Sequence, residues 1–102
     1  MSKPDSKADV ALRELAAVLT PLGTEELHEV FCTLLTAPER EKIALRWKLV
    51  CMLEEGLTQR AIASELGVSL CKITRGSHEL KYGPLAFRKA IRKVVQRKQA
   101  GA

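Results

Sequence analysis

Several polar and basic side chains of the segment 58–82 have the types and spacing needed to contact duplex DNA. Basic side chains pair with phosphates, hydroxyl and amide groups hydrogen-bond to base edges, and apolar groups pack on thymine methyls. The side chains that this chemistry assigns to DNA are Gln59, Arg60, Ser69, Leu70, Cys71, Lys72, Thr74 and Lys81. Few of them can hydrogen-bond to bases, so water-mediated and shape-dependent reading is expected to matter. The alternative for Leu70 is a core position.

These side chains need a scaffold, and the sequence at 59–78 has the spacing of a helix-turn-helix. Gly67 falls in the turn, where a positive φ is easy only for glycine. Ala63 is small where the two helices cross, and Thr58 and Ser69 are suitable N-caps. Such a unit places the start of its second helix in a major groove. The alternative is an ordinary helical hairpin. The residues predicted to carry its core are Ile62, Leu66, Val68 and Ile73.

The distribution of charge along the chain favours the DNA-binding interpretation. Residues 1–58 carry seven Lys/Arg and ten Asp/Glu, a net of −3, whereas residues 59–102 carry ten and two, a net of +8. A basic half beside an acidic half is typical of proteins that bind nucleic acid or another polyanion. A solvated helix face is the alternative for the charge counts alone.

The rest of the chain predicts four further helices. Apolar residues recur at helical spacing from about Asp9 to Leu19, and Thr24 is a suitable cap for the next helix. Thr36 and Glu39 have capping-box spacing at the start of a third helix, which Gly56 ends. The residues predicted to face inward from the third and sixth helices are Ile43, Trp47, Val50, Leu53, Leu85, Ile91, Val94 and Val95.

We therefore predict an all-α fold of about six helices. A flexible tail is expected at 1–8, a single helical domain at 9–98 with the helix-turn-helix at about 58–82, and a flexible tail at 99–102. No signal peptide opens the chain, and no apolar run reaches the roughly 18–20 residues of a membrane span. A cytoplasmic location is the expectation, with no membrane partner.

Metal binding and catalysis are not expected. Cys32, Cys51 and Cys71 form no Cys-x-x-Cys pair, and His28 and His78 make no ligand spacing with them. The three cysteines are predicted to be reduced, buried thiols. No nucleophile has a matching base and no glycine loop is suited to phosphate, so the chain is predicted not to be an enzyme.

The stretch ITRGSHELK, residues 73–81, raises a separate question, because a glycine inside a helix costs about 1 kcal/mol. Together with LLTAPERE, ALRWKLV and LTQRAIASELGVS, this stretch resembles the tryptophan repressor family over about residues 34–85. The resemblance implies an intertwined homodimer that binds a pseudo-palindromic operator, with L-tryptophan as corepressor and no other cofactor.

The resemblance also implies a ligand site. Arg46 and Arg75 match two arginines that lie on either side of the indole, and a guanidinium both stacks on an aromatic face and binds a carboxylate. Gly76 would let the ring approach the backbone, and Thr36 would line the pocket. The carbonyls of Thr33 and Leu35 would accept from the ligand's ammonium. The alternatives are a surface ion pair for Arg46, beside Lys42 and Glu54, and a phosphate contact for Arg75.

The chain departs from the family's pattern at several positions. Glu79 stands where a well-known member has a serine near the ligand's amino group, so a carboxylate either pairs with that ammonium or faces water. Ala63 replaces a basic residue, and the loop EEGLTQR is one residue shorter. Two other functions remain open: a ligand-independent helix-turn-helix protein, architectural or transposase-like, and a helical protein-interaction adaptor.

Overall fold

A computed structural model describes residues 6–101, and this range contains six helices and no strand. The helices are α1 (Lys7–Leu19), α2 (Thr24–Leu34), α3 (Ala37–Glu54), α4 (Gln59–Leu66), α5 (Leu70–Tyr82) and α6 (Leu85–Gly101). The predicted all-α fold of six helices is therefore confirmed. The predicted tails lie partly outside the described residues, since 1–5 and 102 are not described, whereas Lys7 and Gln99 are helical.

The chain divides into two compact units, residues 1–40 and residues 41–102, with the boundary inside α3. The first unit holds α1, α2 and the first turn of α3. The second holds the remainder of α3 and the helices α4, α5 and α6. No helix within 6–101 is long and apolar enough to cross a membrane.

Side-chain caps define the helix starts of the first unit. The predicted capping box is confirmed, because Glu39 N donates to Thr36 Oγ1 at 3.3 Å and Thr36 N donates to Glu39 Oε1 at 2.9 Å. The prediction that Thr24 caps α2 is wrong. Gly23 is the N-cap, and its N–H donates to Glu26 Oε1 at 3.3 Å, so that Thr24 is already helical.

Neither α1 nor α2 contains a buried residue. Leu12 is 63% exposed and Phe31 is 45% exposed, although both lie on helices with apolar stripes. The period of 3.6 residues thus produces an apolar face that the single chain leaves in contact with water. The other large apolar side chains of these helices that remain exposed are Val10, Val18 and Leu34.

The second unit has a core of its own, to which each of its helices contributes. Ile62 of α4, Ile73 of α5 and Ile91 of α6 are completely buried. Leu49, Val50 and Cys51 of α3 and Val95 of α6 complete the buried cluster, and Leu53, Leu66, Val68 and Val94 pack partly buried against it. Inward positions were predicted wrongly for Ile43, Trp47 and Leu85, which are exposed. The first two line an open cleft beside the core, and Leu85 begins α6 ahead of its packed turns.

The helix-turn-helix geometry agrees with the predicted local signals. Thr58 Oγ1 accepts from Ala61 N at 3.1 Å, and Ser69 Oγ accepts from Lys72 N at 3.4 Å, so both predicted caps are confirmed. Gly67 has a φ of 66° in the turn and Gly56 has a φ of 97° after α3. Both glycines adopt the left-handed region, which a Cβ would disfavour.

Candidate ligand cleft and DNA-contacting surface

A cleft of about 830 Å³ lies within the second unit, and its walls come mainly from α3 and α5. Its size falls in the range of about 300–1,000 Å³ that is usual for small-molecule sites. The lining residues are Lys42, Ile43, Leu45, Arg46, Trp47, Leu49 and Val50 of α3, Val68 of the turn, Lys72, Arg75, Gly76 and Glu79 of α5, and Phe87 of α6.

The predicted ligand residues Arg46, Arg75, Gly76 and Glu79 all line this cleft. Neither arginine forms an ion pair with any residue of the range 6–101. Glu54, the neighbour considered for Arg46, instead lies 4.0 Å from Arg92. Within the described residues of the single chain, Arg46 therefore has no surface ion pair, and no carboxylate pairs with either guanidinium group.

The chemistry of the cleft suits a flat apolar group that carries both charges. Trp47 and Phe87 provide aromatic surface beside aliphatic side chains. The charged groups are four cations, at 42, 46, 72 and 75, and the single carboxylate of Glu79. Guanidinium groups bind a carboxylate by charge-assisted hydrogen bonds and stack on aromatic rings, and a carboxylate receives an ammonium.

Packing between α3 and α5 gives Gly76 a structural reason of its own. A Cβ built at this position would lie 2.6 Å from Leu49 Cδ2 and 3.4 Å from Leu53 Cδ1. The glycine therefore allows α5 to approach α3 closely enough for Arg75 to reach the cleft. Its predicted contact with a ligand ring stays a prediction.

The other predicted ligand groups lie in the first unit. The Leu35 carbonyl accepts from Arg40 Nη1 at 2.8 Å, and Thr36 Oγ1 donates to Glu39 Oε1 at 3.0 Å. Thr33 lines a shallow depression on α2. A carbonyl oxygen has two lone pairs, so the Leu35 carbonyl retains capacity for a second donor. The ligand roles of Thr33, Leu35 and Thr36 stay predictions.

The side chains predicted to contact DNA are all exposed, at the start of α4 and along α5; they are Gln59, Arg60, Ser69, Leu70, Cys71, Lys72, Thr74 and Lys81. Leu70 is 51% exposed, so its alternative as a core residue is wrong for the single chain. Thr74 Oγ1 donates to the Leu70 carbonyl at 2.9 Å, which leaves its oxygen free to accept. Lys72 also lines the cleft, so one side chain belongs to both surfaces.

Sequence reasoning missed several lining residues of the cleft, and helix periodicity could have found some of them. Lys42 lies four residues before Arg46, and Lys72 lies three residues before Arg75. Residues three and four apart share a helix face. The residues of the lining that had no predicted ligand role include Lys42, Trp47, Lys72 and Phe87.

The cysteines differ from their predicted state. Cys51 is buried, but Cys32 and Cys71 are exposed. His28 Nε2 lies 3.5 Å from Cys32 Sγ on successive turns of α2, which is a contact between two side chains only. Within the described residues, no group of three or more His, Cys, Asp or Glu side chains is arranged to hold a metal ion.

Comparison with known proteins identifies relatives of this chain. The family model described as Trp repressor protein matches residues 11–95. A "Trp operon repressor homolog" of Chlamydia caviae is 50% identical over 58 residues, which is 56% of this chain and 57% of the relative. A protein of the same description from Chlamydia trachomatis serovar L2 is 40% identical over 70 residues, which is 68% of this chain and 74% of the relative. Another from Vibrio cholerae is 48% identical over 59 residues, which is 56% of this chain and 57% of the relative.

The match therefore spans less than two thirds of the C. caviae and V. cholerae relatives. No solved structure matches the chain. The family match extends from the second turn of α1 to the buried Val95 of α6, and so it includes the helix-turn-helix and both walls of the cleft. On this match the chain belongs to the Trp repressor family, a family of regulatory DNA-binding proteins.

Proposed function

We propose that the chain is a ligand-dependent transcriptional repressor that binds a pseudo-palindromic operator as a homodimer, with L-tryptophan as corepressor. One observation carries the proposal: Arg46 of α3 and Arg75 of α5 line the same cleft, and neither is paired within the described part of the chain. The relatives described as Trp operon repressor homologs support the same function.

The ligand's indole lies between the two guanidinium groups and against the apolar wall, and its carboxylate binds Arg75. Glu79 receives the ammonium, and the further acceptors that the family resemblance implies are the carbonyls of Thr33 and Leu35. Since α5 is the reading helix, a ligand that bridges α3 and α5 favours one orientation of the reading head. The ligand can strengthen DNA binding only by as much as it prefers the DNA-binding orientation of the reading head over the other orientation. Such a coupling free energy is typically about 1–3 kcal/mol.

The homodimer is supported by the apolar surface of the first unit. Helices α1 and α2 bury no residue, and Phe31 and Leu34 remain exposed. An interlocked partner would cover this surface. It would also place two reading heads on one face of the DNA, about 34–36 Å apart, which is the spacing of half-sites one turn apart.

Calorimetry with L-tryptophan tests the ligand site directly. We expect the wild type to bind, and we expect Arg75→Ala and Arg46→Ala to weaken binding by at least about tenfold, since each removes a charge-assisted contact. Lys48→Ala is the matched control, because Lys48 is an exposed cation of α3 outside the cleft lining. A wild-type chain that does not bind L-tryptophan would refute the corepressor proposal.

Gel shifts with DNA in the presence of a panel of amino acids separate the alternatives. The proposal requires that L-tryptophan increase the affinity for DNA, and that Arg75→Ala abolish the increase. Equal binding with and without every amino acid would instead identify a ligand-independent DNA-binding protein. Negligible salt-dependent DNA affinity would identify an adaptor, because phosphate contacts by Lys and Arg weaken steeply as salt rises.

A further inference from the structure

Three cations form a row along the outward face of α6. Lys89, Lys93 and Arg97 are exposed and follow one another at intervals of four residues. Successive members are rotated by only about 40° and displaced by about 6 Å along the axis. Residues two apart on a helix lie about 200° apart, so Lys89 and Lys93 lie opposite the buried Ile91 and Val95. We call Lys89, Lys93 and Arg97 the α6 basic stripe.

Two other cations of α6 have acidic partners, whereas the stripe has none within the described residues. Arg92 lies 4.0 Å from Glu54 and Lys98 lies 3.3 Å from Glu55, so the acids at the end of α3 pair with the flanks of the helix. No stripe residue pairs with a carboxylate of residues 6–101. The sequence from 84 to 102 contains no Asp or Glu. Like charges four residues apart destabilise a helix, and no ion pair within the described chain offsets this repulsion.

The regular spacing of the stripe fits a linear array of anions. Eight residues of α-helix separate Lys89 from Arg97, which is about 12 Å. One strand of duplex DNA presents a phosphate about every 3.4 Å along the axis, so the stripe can face about three phosphates. The stripe is also anchored to the reading head, because Ile91 and Val95 belong to the same buried cluster as Ile62 of α4 and Ile73 of α5.

We propose that the α6 basic stripe is a second contact with duplex DNA, which binds backbone phosphates outside the bases read by α5. The contact is independent of sequence, since lysine and arginine on phosphate carry no base information. This inference rests on the proposed DNA-binding function, but it concerns a different surface from the helix-turn-helix. Its effect is to raise affinity and salt dependence, and to lengthen the DNA that each reading head engages.

The experiment compares the full-length wild type with the triple variant Lys89→Gln, Lys93→Gln, Arg97→Gln. Binding of a fluorescent 40-base-pair duplex of arbitrary sequence is measured by anisotropy over a series of salt concentrations. Each lost phosphate contact lowers the slope of log K against log salt by about 0.9, so we expect the slope to fall by about 2–3. The affinity at 0.1 M salt is expected to fall by on the order of a hundredfold.

The matched control is Lys7→Gln, Lys48→Gln, Arg13→Gln, which removes the same number of exposed cations elsewhere on the chain. We expect its slope to stay close to that of the wild type, with circular dichroism confirming the fold of both variants. An unchanged slope in the stripe variant overturns the proposal. So does an equal change in the control, which would reflect net charge alone. A stripe variant that changes the oligomeric state but not the slope would show that a second copy covers the stripe, and this too overturns the proposal.

Calorimetry with L-tryptophan, run beside these titrations, separates this proposal from the proposed function. If the wild type does not bind tryptophan but the stripe variant loses slope, the corepressor function fails and the stripe stands. If the wild type binds tryptophan but the slope is unaffected by the triple substitution, the stripe fails and the corepressor function stands.

Discussion

The two units of the chain have similar helical patterns but differ in what they bury. In the first unit, α1 and α2 carry apolar stripes and bury no residue. In the second, α3 to α6 enclose Ile62, Ile73 and Ile91 completely. Helical periodicity therefore specifies an apolar face in both units, but only the second unit covers that face with its own helices. The apolar face of α1 and α2 stays exposed within the described residues, and the proposed dimer would cover it.

The largest expected effect comes from the core of the second unit. Ile73→Ala removes a fully buried side chain at the junction of the reading helix with α3, α4 and α6. We expect a loss of about 2–5 kcal/mol in the free energy of unfolding. The loss has two parts, the hydrophobic free energy of the removed methyl and methylene groups and the cost of the cavity that they leave. Denaturant unfolding followed by circular dichroism measures this loss.

Leu12→Ala is the control in the first unit, where the side chain is 63% exposed. In dilute protein it should cost much less than Ile73→Ala. Equal losses for the two variants at every protein concentration would show that the units do not differ in the way the single chain indicates.

The local signals of the sequence were sufficient for most of the fold. Each cap at Thr36, Thr58 and Ser69 depends on contacts within three residues along the chain. Such short-range bonds can be predicted from residue types alone. The buried isoleucines Ile62 and Ile73 were also predicted, because the helix-turn-helix spacing fixes which faces meet.

The errors at Ile43 and Trp47 share a physical cause. Ile43 and Trp47 have the same apolar period as the core residues of α3, but they line an open cleft. Periodicity identifies an apolar face without identifying what covers it. Likewise, no local signal brings Arg46 and Arg75 to one cleft. Their meeting depends on the approach of α5 to α3 at Gly76, and it was expected only from the family resemblance.

A smaller effect is expected from the exposed face of the first unit. Phe31→Glu places a charge where the proposed dimer buries an aromatic side chain that is 45% exposed in the single chain. Burial of such a side chain contributes about 1.5–3 kcal/mol, so the dimer dissociation constant should rise by at least about tenfold. Sedimentation velocity over a concentration series measures the change.

The matched control is Ser64→Glu, a polar-to-acid change at an exposed position of α4. It should leave the dissociation constant unchanged. A wild-type chain that remains monomeric at the highest concentration would contradict the dimer, and the exposed face of α2 would then need another occupant.

The smallest effect concerns the thiols, which differ in burial even within the second unit. Burial raises the pKa of the Cys51 thiol; nearby Lys98 lowers it in opposition, and Glu55 adds to the increase. The folded chain therefore holds this proton to a higher pH than the unfolded chain does. The contribution of Cys51 to stability is constant below the ordinary thiol pKa of 9.0 and declines as pH rises above it. Because the thiolate is the reactive form, a disulfide reagent at pH 8 should label Cys32 and Cys71 quickly and Cys51 only as the second unit opens. In denaturant, all three thiols should be labelled at the same fast rate. Equal labelling rates in the native protein would mean that α3 does not shield Cys51. The core of the second unit would then be more open than its buried isoleucines indicate.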